Sequence, residues 1–195
     1  FAVDKPDTVA AAETKPAPMP VQKPEVKSIP LKSDQYYPVR QKKTHIFLHH
    51  TAGGSAASSI AYWASTPEHI ATPYVIDRDG TIYECFDPAY WAYSLGVKGG
   101  TALEKSTIAI EICAYGQLTK NKDGKYLSYT KKEIPQQNVT ELKFRDFDYW
   151  ESYTPAQITA LQSLLKWLVQ EFKIPLQADR KDFWLYRDPA TLPPG

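Results

Sequence analysis

His49 and Glu111 are the residues whose types and settings most directly suggest chemistry in this chain. His49 closes the run Ile46-Phe47-Leu48 and is followed by His50, Thr51, Ala52, Gly53 and Gly54. A strand that ends in two imidazoles and opens into a glycine turn places a potential metal ligand at a sheet edge that solvent can reach. A lone histidine there would read as a hydrogen-bonded core residue; two in succession point to a metal or catalytic role. Glu111 stands in the apolar stretch from Thr107 to Cys113. Zinc lowers the pKa of a bound water to about 7, and a nearby carboxylate can take its proton as the hydroxide attacks an amide carbonyl. The metal would also stabilise the developing oxyanion. A catalytic zinc needs three protein ligands and an open position. The other candidates are His45, His50, His69, Cys85, Cys113 and the acidic residues, and their spacing singles out none of them.

These groups must be carried by strands. In 45–50 the residues alternate, with His45, Phe47 and His49 on one face and Ile46, Leu48 and His50 on the other. In 107–113, Ile108, Ile110 and Ile112 form an apolar face, and Thr107, Ala109, Glu111 and Cys113 form the opposite one. Between them the pattern predicts a short helix over 55–64 and two strands, 72–77 and 81–86. Arg78-Asp79-Gly80 joins those strands as a hairpin, because a tight turn needs residues that tolerate positive φ. Residues 88–100 read as a loop rich in aromatics and glycine. Residues 115–152 read as an irregular polar insertion, a candidate binding loop or lid. Thr154-Pro155-Ala156-Gln157 is a capping box with proline at the first helical position. Ile158, Leu161, Leu165, Leu168 and Phe172 then form one stripe of a long helix that Ile174-Pro175 stops. The order β-α-β-β-β-α predicts a single α/β domain, a mixed central β-sheet flanked by helices.

Residues 1–35 are a different material. Six prolines are interleaved with Lys, Glu, Ala and Val, and no aromatic occurs between Phe1 and Tyr36. Such a stretch is expected to be an extended, mobile tether in front of a domain over 36–195. The 195 residues carry 23 Lys+Arg against 22 Asp+Glu, a formal net charge of +1, which argues against a nucleic-acid partner. No apolar run reaches the length of a membrane span. Two cysteines are too few for a disulfide scaffold, and whether they pair is left open. The 13 Tyr, 5 Trp and 7 Phe are enough to line a groove for sugars or peptide, although most will fill the core.

The run from Ile46 to Ala52 resembles the opening strand of the zinc-dependent N-acetylmuramoyl-L-alanine amidases of type 2, relatives of the peptidoglycan recognition proteins. Tyr74–Tyr83 is similar to the hairpin of that family, and Ile108–Ile112 to the strand that carries its glutamate. The resemblance implies His49 as a zinc ligand, Glu111 as the catalytic base and peptidoglycan as the partner. It also implies Tyr90, Trp91 and Ser94 as substrate-binding, with Ser94 standing where members commonly have His. Family members draw a second His, and an Asp or Cys ligand with a nearby Lys, from beyond the long helix. No His follows His69 here, so the zinc site is expected to be incomplete in this chain. Two expectations follow: a piece of a full amidase, which is preferred, or a catalytically inactive muropeptide-binding or structural module. The implied setting is periplasmic or extracellular, with a phage lysin or virion component as the alternative.

Overall fold

The computed structural model describes residues 20–96 and 100–175. The alternation along Thr107–Ile112 sets the architecture, because this strand lies inside a sheet and must satisfy a different environment on each face. The sheet has five strands, β1 (Lys27–Ser28), β2 (His45–His50), β3 (Tyr74–Ile76), β4 (Ile82–Glu84) and β5 (Thr107–Ile112), in the order β1-β4-β3-β5-β2. β5 runs parallel to β2 and β3, whereas β3 and β4 form the antiparallel hairpin. In that hairpin Gly80 adopts φ 85° and its N–H donates to the Asp77 carbonyl at 2.9 Å. A side chain at Gly80 would also strike the backbone of Ala156, which would lie 2.9 Å from its Cβ.

Among the described residues three α-helices flank the strands: α1 (Ala56–Ser65), α2 (Ala102–Ser106) and α3 (Pro155–Phe172). Tyr74, Ile76, Ile82, Ile108, Ile110 and Ile112 pack in one buried cluster with Leu161, Leu164 and Leu168 of α3. Val75, Cys85 and Cys113 pack in another with Ala56, Ile60 and Trp63 of α1. This is the α/β sheet with helices on both faces that the element order predicts. α3 begins as expected: Thr154 Oγ1 accepts from Gln157 N at 3.1 Å, and Gln157 Oε1 accepts from Thr154 N at 2.9 Å. Its buried stripe is rotated from the predicted one. Gln157, Leu161, Leu164 and Leu168 face inward, while Ile158 is 39% exposed. The buried amide of Gln157, which donates to the Cys113 carbonyl at 2.9 Å, fixes that rotation. The helix ends at Lys173, in the left-handed conformation at φ 52°.

Two expectations need correction. The stretch 115–152 is not irregular. It builds a second five-stranded sheet from β6 (Gln117–Lys120), β7 (Tyr126–Leu127), β8 (Glu133–Ile134), β9 (Val139–Phe144) and β10 (Phe147–Glu151), in the order β8-β7-β6-β10-β9. All its pairings are antiparallel, and its core is small: Leu118, Tyr126 and Ile134, with Tyr115, Val139 and Tyr149 packed against them. Short strands with so little buried surface leave a weak alternation in the sequence. The second correction concerns the tail. Residues 1–19 lie outside the described residues, but the following segment is laid against the domain. β1 pairs parallel with β4, Leu31 N donates to Cys85 O at 2.9 Å, and the Leu31 side chain is buried. Lys23 bonds to Glu84 at 2.6 Å. A proline-rich stretch cannot build a core, yet its extended backbone can cover a sheet edge.

The cysteines do not pair; both are free and buried. Cys85 N bonds to Pro73 O and Cys113 N to Ile76 O, on opposite sides of β3. That register sets them roughly 10 Å apart along the strand and about 9 Å across it, well beyond the reach of about 7 Å for bridged Cα atoms. Among the described residues no helix is long and apolar enough to cross a membrane.

Candidate active site

The parallel pairing of β2 with β5 sets His49 directly opposite Glu111. Neighbouring strands lie about 4.8 Å apart, and directly opposed residues point to the same face. The two candidate side chains therefore share the α1 side of the sheet, one pair from the strand ends. Neither is satisfied. His49 Nε2 and Glu111 Oε2 are buried with no hydrogen-bond partner among the described residues. Burial lowers the His49 pKa, helped by the adjacent His50 and opposed by Glu104, so its ring is neutral at pH 7. Burial pushes Glu111 up to about 7. A carboxyl poised there can take up and release a proton near neutrality.

Glu111 lines a cleft of ≈ 270 Å³ together with Thr51, Ala52, Gly53, Ser58, Ser59, Tyr62, Trp63 and Tyr129. The loop after β2 forms one side of it. Thr51 N donates to Ile112 O at 3.1 Å and Gly53 N to Ala114 O at 3.3 Å, which continues the ladder past the strand ends. Ala52 holds a positive φ of 48°, a conformation that costs a residue with a Cβ about 1 kcal/mol and needs support from its surroundings. That support comes from the second sheet and the hairpin. Tyr129 OH donates to Ala52 O at 2.6 Å. Arg78 donates to the carbonyls of Gly53 and Gly54 and forms a two-pronged pair with Glu151, at 2.9 Å to each oxygen. Glu151 in turn accepts from Tyr115 N at 2.5 Å. Arg78 thus ties the cleft loop to the second sheet, a structural role for the hairpin charges.

The remaining sequence candidates lie elsewhere. Tyr90 and Trp91 belong to an aromatic stack away from the cleft. Tyr36 lies 4.6 Å from Phe86 and 5.9 Å from Tyr90, and Tyr37 lies 4.0 Å from Trp91. Neither lines the cleft that holds Glu111. Ser94 is engaged with a buried carboxylate, its N and Oγ donating to Glu104 Oε1 at 2.6 and 2.9 Å. Beside that contact Lys43, also buried, donates to the carbonyls of Tyr90, Lys105 and Thr107, and burial lowers its pKa to about 8. Of the other histidines, His45 contacts Thr44 and Ser106, His69 stacks on Tyr37, and His50 points to the opposite face from His49. The His50 ring abuts Gly116, where an added Cβ would lie 2.5 Å from its Nε2. Sequence reasoning singled out none of Tyr62, Tyr153 and Glu104, and reached Tyr129 only as one aromatic of the 115–152 insertion, a candidate wall of the groove. Burial and the carboxylates of Glu111 and Glu151 raise the Tyr153 pKa, which places that phenol in the field of the site. No local pattern in the sequence marks these four, since each reaches its place through a non-local contact.

Among the described residues no group of three His, Cys, Asp or Glu side chains converges to hold a metal. His49 presents a free nitrogen suited to one, but residues 20–96 and 100–175 do not by themselves form a zinc centre.

Comparison with known proteins adds the following. The profile of the N-acetylmuramoyl-L-alanine amidase family, Amidase_2, matches residues 39–188. A search of curated protein sequences returns no match. Among solved structures, PlyL superposes with a TM-score of 0.51 at 16% identity, over 77% of this chain and 76% of its own. The PlyG catalytic domain does so with a TM-score of 0.50 at 17% identity, over 77% of this chain and 73% of its own. At these identities the two structures share the fold with this chain.

Proposed function

The chain belongs to the N-acetylmuramoyl-L-alanine amidase family, and from that premise we propose that it hydrolyses the amide between the lactyl group of N-acetylmuramic acid and the first L-Ala of the peptidoglycan stem peptide. The observation that carries this reading is the opposed pair His49 and Glu111, each with a buried and unpartnered polar atom, on one face at the ends of two parallel strands. Unsatisfied buried polar groups are costly, and a pair of them beside a cleft is accounted for by a ligand or a reaction.

Glu111 is the general base. With a pKa of about 7 it accepts a proton from the attacking water as the water oxygen bonds to the amide carbonyl carbon. It then returns that proton to the leaving nitrogen as the C–N bond breaks. His49 is neutral near pH 7 and is the residue we assign as a ligand of the zinc that the family resemblance implies. The described residues supply no second and third ligand beside it. Peptidoglycan as substrate implies work outside the cytoplasm, in the periplasm, at the cell surface or as a phage lysin.

The test is release of L-Ala-terminated stem peptide from purified muropeptides. Wild-type protein should release it, with a rate that rises with pH through about 7 as Glu111 ionises. Glu111→Gln should remain folded and lose turnover; unchanged turnover would remove Glu111 from the mechanism. The absence of a three-donor group among the described residues favours one second reading, a silent muropeptide-binding module. Binding of intact muropeptide without release of peptide would establish that instead.

A further inference from the structure

The strain in the cleft loop sits where the sequence could have avoided it. Two glycines follow Ala52, yet Gly53 and Gly54 lie outside the left-handed region, and Ala52 is the residue that takes a φ of 48°. Glycine adopts that conformation freely, whereas a residue with a Cβ returns to right-handed or extended backbone unless its surroundings hold it. The turn between β7 and β8 supplies that hold. Tyr129 OH donates to Ala52 O at 2.6 Å, from 77 positions away in the sequence, and the Tyr129 ring meets Tyr115 edge-on at 6.3 Å. The turn is itself stiff. Ser128 N donates to Lys132 O and Lys131 N to Ser128 O, each at 2.9 Å, and Ser128 is buried. On either side of Ala52 the loop is pinned to the main sheet, by Thr51 N on Ile112 O and by Gly53 N on Ala114 O.

We propose that Tyr129 is a positioning residue for hydrolysis: its hydroxyl holds Ala52 in the left-handed conformation and so fixes the wall of the cleft beside Glu111. Thr51, Ala52 and Gly53 line that cleft together with Glu111, and only His50 separates them from His49. The backbone changes hand at Ala52, so a change of φ there moves the wall relative to both groups. A displacement of about 1 Å at a reacting centre can cost on the order of a hundredfold in rate. The second sheet therefore acts on the site through one hydrogen bond to the main chain. Alanine at 52 makes the wall depend on that bond, since the left-handed state loses its support when the turn carrying Tyr129 is undocked. Glycine at 52 would make the wall indifferent to it. The kinetic part of the proposal rests on the amidase reading, and the conformational part stands without it.

The experiment compares the full chain with Tyr129→Phe, which keeps the ring and removes the bond. Amide hydrogen exchange, read by NMR, should quicken about fivefold at Thr51 and Gly53, the factor that a neutral hydrogen bond of ordinary net strength supplies. The amides of β5 and α3 should keep their wild-type rates. In hydrolysis of muropeptide, kcat should fall by a similar factor with KM nearly unchanged. Adding Ala52→Gly to Tyr129→Phe should recover most of both losses, because glycine needs no support at φ 48°. A bond that served only the stability of the second sheet would not be rescued by a glycine in the other loop. If Tyr129→Phe fails to fold by circular dichroism, Ala52→Val tests the same contact from its other side. A β-branched side chain disfavours the left-handed conformation, so this variant should show the same quickening at Thr51 and Gly53. Unchanged exchange in the folded variant overturns the proposal. So does faster exchange with unchanged kcat, or a rise in KM alone, which would make Tyr129 a substrate contact. A wild type with no hydrolysis removes the amidase reading, and exchange with its reversal by Ala52→Gly then upholds or overturns the hold on Ala52 by itself.

Discussion

The two faces of β5 are one residue apart in sequence and opposite in character. On the α3 side Ile108, Ile110 and Ile112 meet Leu161, Leu164 and Leu168, and every one of these is buried. On the α1 side the same strand presents Thr107, Ala109 and Glu111 beside His45 and His49 of β2. Close packing of aliphatic side chains makes the first face the source of rigidity. Small neighbours and incompletely satisfied polar atoms make the second a place where a substrate can replace missing partners. A chain that must hold two strand-borne groups in register gains from having one face devoted entirely to that task.

This contrast can be broken in steps. The largest expected effect is the paired outcome of Glu111→Gln, with turnover down on the order of a thousandfold, as for loss of a general base, and an intact fold by circular dichroism. Leu164→Ala on the other face should do the reverse. It removes a fully buried side chain and should cost about 3 kcal/mol in denaturant unfolding, while the folded fraction keeps its kcat. An Ala variant that lost kcat without losing stability would erase the distinction between the faces.

A smaller effect sharpens the same comparison through pH. The Glu111 pKa is raised by burial from 4.5 to about 7. Between those values the folded state binds more protons than the unfolded state, so stability falls as pH rises through the interval. The cost of ionising Glu111 is absent below about 4.5 and complete above about 7. Glu111→Gln should therefore be more stable than wild type by about 3 kcal/mol at pH 8 and indistinguishable from it at pH 4, as read from urea unfolding at the two values. The smallest effect is Thr154→Ala. It removes the cap of α3 and should cost about 1 kcal/mol, with no change in the pH profile of hydrolysis.

The second sheet teaches the converse lesson. Its core holds three buried side chains, yet through Tyr129 and the Arg78–Glu151 pair it braces the loop that forms the cleft. Support of this kind is invisible to periodicity, since it is made of single contacts between residues 77 and 73 positions apart.

What the sequence by itself determined is whatever is written in local chemistry. The alternation of 45–50 and 107–112 marks two strands and assigns each side chain to a face. Asp79-Gly80 marks the hairpin, Thr154 to Gln157 marks the start of α3, and the motif around His49 is legible as an amidase resemblance. The tertiary structure alone decided the register that sets His49 against Glu111, the rotation of α3 that buries Leu164 and exposes Ile158, the separation of Cys85 from Cys113, and the docking of 27–31 along β4. It also moved Tyr90, Trp91 and Ser94 away from the cleft and brought Tyr62 and Tyr129 to it. The physical reason is common to all of these. Local patterns specify which way a residue points within its own element, whereas pairing between elements is settled by backbone hydrogen bonds and packing between parts of the chain whose separation no short window spans.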